Sequence, residues 1–135
     1  MAMSLLAPRQ FHTQQLHYLR KGFTFANGAT TIDVGVIPSG SVIMFALSGV
    51  VVHTVFNAGT NNRLDVGAST DSGTNNFGTL LALTSVGFVT LDEGASTSAK
   101  MAADTLVQAF VDLTGTAATT GDATIVICYV PNNDL

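Results

Sequence analysis

The 135-residue sequence predicts an all-β fold, a β-sandwich of jelly-roll type with about eight or nine strands and an extended N-terminal arm. Three observations carry this. Gly, Ala, Thr, Ser, Asn and Val dominate, while Lys, Glu and Gln, which favour helix surfaces, are scarce. Short apolar or alternating segments recur, and turn chemistry separates them roughly every 8–12 residues. No repeat of about 20–50 residues accompanies them, which argues against a propeller or a solenoid.

Residues 1–15 show little alternation and hold Pro8, Gln10, Gln14 and Gln15, so they read as an arm, with at most one helical turn around 11–16. Residues 16–135 form one β-sandwich domain, a size at which a chain buries a core without staples. Leu16 to Phe25 reads as a strand, and Asn27-Gly28 behind it predicts a two-residue hairpin turn. The hairpin partner is Thr31 to Val36, where the even positions are apolar and the odd ones polar or small. Pro38-Ser39-Gly40 is then a turn.

Ser41 to Phe56 is apolar on both alternating faces, and its run Val50-Val51-Val52 and central Gly49 favour one long strand bent at the glycine over a helix. It carries more apolar surface than one face of a sandwich buries, which predicts a homotrimer or similar closed oligomer. Arg63 to Gly67 alternates as a short strand after the loop 57–62, and residues 68–76 form a second polar loop. Further strands are expected at Phe77 to Thr84, Val86 to Leu91, Ala99 to Ala103, Leu106 to Leu113 and Ala123 to Val130.

Charge narrows the function classes. Only 10% of residues are charged, against roughly 25% in an average soluble protein, so much of the surface is uncharged and assembly is expected to cover part of it. Residues 1–22 carry Arg9, Arg20 and Lys21 with no acid, whereas the remainder carries Arg63 and Lys100 against nine acids. A mildly basic arm precedes an acidic body. Nucleic-acid binding is disfavoured, because no Lys or Arg cluster faces the phosphates it would need to hold. No stretch of about 18 residues stays apolar, so no membrane-spanning helix is expected, and the N-terminus lacks the pattern of a signal peptide. Synthesis in a cytoplasm without export is the expectation.

Catalysis needs a base, a nucleophile or a metal held near complementary groups, and the sequence offers few. Cys128 lies in an apolar run, Ile125 to Val130, and is expected to be a buried, unbridged thiol. His12 and His17 stand five apart, which matches neither helical nor strand spacing for a metal pair. His53 would need an acid such as Asp33 or Asp65 beside it to act as a base. Asp92-Glu93 would face opposite ways in extended structure, and the loop Asp71 to Asn76 lacks the bidentate glutamate of a calcium loop. No nucleotide loop, nucleophile elbow or Cys/His cluster is present. The chain reads as no enzyme, with no cofactor and no metal.

Two segments, Val55-Phe56-Asn57-Ala58-Gly59-Thr60-Asn61-Asn62-Arg63-Leu64-Asp65-Val66-Gly67 and Leu113-Thr114-Gly115-Thr116-Ala117-Ala118-Thr119-Thr120-Gly121-Asp122-Ala123-Thr124-Ile125-Val126, resemble small virion proteins of tailed bacteriophages. Together they cover 27 of the 135 residues. The resemblance implies a capsid decoration, or cement, protein: a structural β-sandwich, commonly trimeric, seated on the outer shell where it binds and stabilises the major capsid protein. It implies a virion location, with assembly in the host cytoplasm, and no catalytic residue. Low charge, faces that become buried on assembly and an arm that reaches a neighbour fit such a role independently. Leu5, Leu6, Arg9 and Phe11 are the candidate partner-binding residues of the arm. The alternatives are a tail, head-fibre or host-adhesion component of a virion, separable by copy number, and a carbohydrate-binding jelly roll, separable by glycan binding.

Overall fold

A computed structural model describes residues 15–132. The candidate arm residues Leu5, Leu6, Arg9 and Phe11 lie outside the described residues. Among the described residues nine strands follow one another: β1 (His17–Thr24), β2 (Thr30–Ile37), β3 (Val42–Ile43), β4 (Gly49–Thr54), β5 (Asn61–Ala68), β6 (Gly78–Ala82), β7 (Gly87–Thr90), β8 (Thr105–Thr114) and β9 (Asp122–Val130). They form two antiparallel sheets. The first runs in the order β1-β9-β4-β7, with β3 also paired to β9, and the second in the order β2-β8-β5-β6. Each sheet therefore draws strands from both halves of the chain, the interleaving of a jelly roll. Among the described residues no helix is long and apolar enough to cross a membrane.

The apolar period of two explains the closure. In β8, Val107, Ala109 and Val111 point inward and are fully buried, and in β9 Ala123, Ile125 and Ile127 do the same from the opposite sheet. Val50 and Val52 of β4 and Leu64 and Val66 of β5 extend that layer. Phe23 stacks on Phe56 with ring centroids 5.5 Å apart, closing the core at one end, while Phe45 meets Phe77 edge-on at 6.2 Å.

The connection from β1 to β2 is not a hairpin. β1 pairs with β9 along its whole length and β2 pairs with β8, so residues 25–29 carry the chain from one sheet to the other. A two-residue hairpin turn would need positive φ at both central residues, but Gly28 has φ −56° and the positive angle falls on Ala29, at 59°. The Thr24 N–H donates to the Asn27 side chain at 2.9 Å, capping a short 3₁₀ turn, and Phe23 and Val34 then bury from opposite sheets. A hairpin would have placed both strands in one sheet and left that side of the core unclosed.

Ser41 to Phe56 follows one line beside β9, yet it is two strands. Val42 and Ile43 pair with Val130 and Tyr129, and β4 resumes opposite Val126, with a 3₁₀ turn at Phe45–Leu47 between them. This excursion leaves the Cys128 backbone without a strand partner on the β3/β4 side. Ser48 repairs it: its fully buried hydroxyl accepts from the Cys128 N–H at 2.9 Å and donates to the Met44 carbonyl at 2.8 Å, while the Met44 N–H reaches the Cys128 carbonyl. Gly49 then passes so close to the Val89 carbonyl of β7 that any side chain there would overlap it.

Two other expectations change. Residues 99–103 form no strand, contributing only a bridge from Lys100 to Val42. In β2 the alternation breaks at a bulge between Asp33 and Gly35, so Val34 and Ile37 are buried and Val36 is exposed. Side chains also complete strand backbone groups at the irregular edge of the second sheet: Asp65 and Asp92 accept from the Leu80 and Thr79 N–H groups of β6, and Asn76 accepts from the Ala68 N–H at the end of β5.

Candidate docking surfaces

The residues singled out by sequence scatter rather than converge. Asp33 and Asp65 stand on the outward face of the second sheet, and His53 stands on the outward face of the first, so the sandwich separates the histidine from both acids. Its Nε2 lies 2.9 Å from the Thr124 hydroxyl. His17 packs on the Tyr129 ring at 5.8 Å, and His12 lies outside the described residues. Asp71 accepts from the Asn75 N–H at 2.9 Å, so the loop 71–76 spends its carboxylate on its own turn. Glu93 accepts from the Ser96 hydroxyl and Asp92 from Thr79. Among the described residues no group of three or more His, Cys, Asp or Glu is arranged to hold a metal ion.

What the fold does assemble is two surfaces of low charge. The first is the outward face of the first sheet, where Tyr18, Val51, Phe88, Thr124, Val126 and Cys128 surround Arg20 and His53. A shallow concavity of about 430 Å³ opens over it. Tyr18 is 65% and Phe88 48% exposed. Cys128 belongs to this face, half-buried and unbridged, and not to the core. The alternation in β9 puts Ile127 and Tyr129 inside, so the thiol must point outward. The opposite sheet differs, presenting Asp33, Asp65 and the Arg63–Asp112 ion pair at 2.9 Å. A run apolar at both parities, as in residues 50–52 and 125–130, was the sequence signal for the first surface.

The second surface is one end of the sandwich. The antiparallel registers bring four connections there, residues 25–29, 55–60, 83–86 and 115–121, and each crosses from one sheet to the other. None of them contains a charged residue or a histidine, although Asp122 stands at the margin. The opposite end carries Asp71, Asp92, Glu93, Lys100 and Asp104.

Both segments that carry the resemblance meet at the uncharged end. The Asn57 carboxamide accepts from the N–H groups of Thr119 and Thr120 at 2.8 and 3.0 Å and donates to the Thr119 hydroxyl. Gly59 and Thr60 donate to the carbonyls of Thr116 and Thr114. A side chain at Gly59 would lie 2.6 Å from the Thr116 nitrogen, so only glycine allows the two loops to touch. Asn62 closes the first loop by bonding both the N–H and the carbonyl of Ala58. The shared motif is thus the lock between two loops, and its glycines and asparagines are explained by packing.

Comparison with known proteins agrees at the level of fold. The same fold occurs in bacteriophage capsid structures. A chain of the acidic stable capsid of Helicobacter pylori bacteriophage KHP30 superposes with a TM-score of 0.59 at 18% identity, covering 87% of this chain and 90% of that one. A chain of the cyanophage Pam1 capsid asymmetric unit gives 0.57 at 14% identity, covering 88% and 85%. No protein-family model and no curated protein sequence matches the chain.

Proposed function

We propose that this chain is a structural protein of a bacteriophage virion that decorates the outer capsid surface and stabilises it by binding the major capsid protein. The observation that supports this most is the whole-chain likeness, at nearly full length on both sides, to chains of two phage capsids. Two surfaces poor in charge support it further, since non-covalent burial against neighbours is what such a protein must provide. In this reading the protein acts as a homotrimer. Residues 1–15 form an anchoring arm in which Leu5, Leu6 and Phe11 bury against the shell and Arg9 meets an acidic neighbour. Assembly takes place in the host cytoplasm, and the chain performs no catalysis.

Quantifying the protein in purified particles tests the reading. Hundreds of copies per particle, released together with loss of capsid stability and rebound on addition of the purified chain, are expected. A dozen copies or fewer would move it to the tail or a fibre.

A further inference from the structure

In any ring with rotational symmetry the same residues of every copy converge near the axis, so a chain of net charge −4 closes most easily through a part that carries none. The four connections at the uncharged end of the sandwich meet that condition, and the opposite end, with four acids and one lysine, does not.

The same end carries a hollow on one flank and an exposed apolar side chain on the other. Following the strand orders, the connections lie side by side as 25–29, 115–121, 55–60 and 83–86. On one flank Phe25, Ala26, Gly28, Ala29, Leu113 and Ala117, with Ala118 beside them, line a hollow of about 220 Å³. On the other flank stands Val86, 70% exposed and the most exposed of the large apolar residues among those described. A cyclic assembly brings the right flank of each copy against the left flank of the next, so it needs two different and complementary patches on one subunit.

We infer that copies of this chain close into a ring through this end, with Val86 of each copy seated in the Phe25–Leu113–Ala117 hollow of the next. The inference rests on the proposed homo-oligomer and assigns the surface that holds it. The occupant of the hollow is therefore an uncharged aliphatic side chain of a sister copy, and the association is not weakened by salt, because no ion pair contributes to it.

Cross-linking decides it without endangering the fold, because both positions chosen are exposed. In a Cys128→Ser background, Val86→Cys combined with Ala117→Cys should form inter-chain disulfides under mild oxidation, giving a covalent ladder that stops at the ring size. Either substitution alone should give none. Val86→Asp should leave a folded monomer in sedimentation, and Val86→Ala should weaken association about tenfold per contact, the loss expected for two buried methyl groups. Absence of the double-variant disulfide, cross-linking by Val86→Cys alone, or a Val86→Asp protein that still associates would each overturn the assignment. Particle binding is scored separately. If Val86→Asp associates normally yet no longer binds particles, that end faces the shell, which refutes the ring contact and leaves the decorating role standing. If Val86→Asp is monomeric and the wild-type ring does not bind particles, the ring contact stands and the decorating role fails.

Discussion

Ser48 and Ser41 are both fully buried serines seven positions apart, and they should respond to alanine in opposite directions. Ser48 bridges the gap that the 3₁₀ turn opens beside β9, accepting from the Cys128 N–H and donating to the Met44 carbonyl. Ser48→Ala strands the Cys128 N–H, while the Met44 carbonyl keeps the Leu47 N–H as a donor, and at about 1–3 kcal/mol for an unsatisfied buried group the expected loss is about 1–3 kcal/mol. Against a total stability on the order of 5–15 kcal/mol this is a large fraction, and it corresponds to a fall in Tm of about 3–9 °C for a chain of this size. Ser41 Oγ, by contrast, has no hydrogen-bond partner among the described residues. Ser41→Ala removes an unpaired buried hydroxyl and should be neutral or stabilise the fold by up to about 1 kcal/mol. Equilibrium urea unfolding of both variants measures this, with the midpoints moving apart and the m-value unchanged. A Ser48→Ala loss below about 0.5 kcal/mol, or a Ser41→Ala loss as large as that of Ser48→Ala, would refute the reasoning.

Other outcomes follow from the same geometry. Asn57→Ala removes the hydrogen bonds that tie residues 119–120 to the β4–β5 connection, so stability should fall by about 1–2 kcal/mol and amide exchange at Thr119 and Thr120 should accelerate. Ala29→Gly relieves a left-handed alanine at φ 59° on an exposed loop, and thermal unfolding should show a gain of about 0.5 kcal/mol. The Cys128 thiol, outward and half-buried, should react with a thiol reagent in the native protein, more slowly than in the unfolded chain. Complete protection in the native protein, persisting in a dissociated monomer, would contradict its placement on the outer face. Deleting residues 2–15 should leave urea unfolding little changed while reducing binding to particles at least tenfold, and undiminished binding would refute the anchoring role.

The strands were legible because their signal is local. Arg63 to Gly67, Leu106 to Leu113 and Ala123 to Val130 each carry a two-residue period or a continuous β-branched run, and all three fall within observed strands. What a strand pairs with is not local. Asn27-Gly28 is chemically fit for a hairpin, but burying Phe23 opposite Val34 across the core outweighs that turn. The break at Phe45–Leu47 was equally hidden, since it depends on Ser48 meeting the Cys128 backbone eighty residues later. Cys128 shows the same limit at the scale of one side chain: an apolar run shows that both faces are covered or coverable, and only the register with β1 and β4 says which face looks out. For the uncharged end, the lack of charge in four separate loops was readable, but that they share one end required the topology.

The position of β9 sets a timetable for synthesis. This strand is the last of the nine, yet it lies inside the first sheet, paired to β1 on one side and to β3 and β4 on the other. A nascent chain that has not yet released residues 122–130 therefore cannot complete that sheet, and β1 must wait about a hundred residues for its partner. Pairings that distant in sequence are slow to form. No fragment lacking β9 presents the finished outer face of Tyr18, Val51, Val126 and Cys128, since two of those four residues arrive with the strand itself. The outer face of the first sheet is thus complete only after residues 122–130 have been delivered, and a truncated translation product lacking them presents neither that face nor the closed sheet behind it.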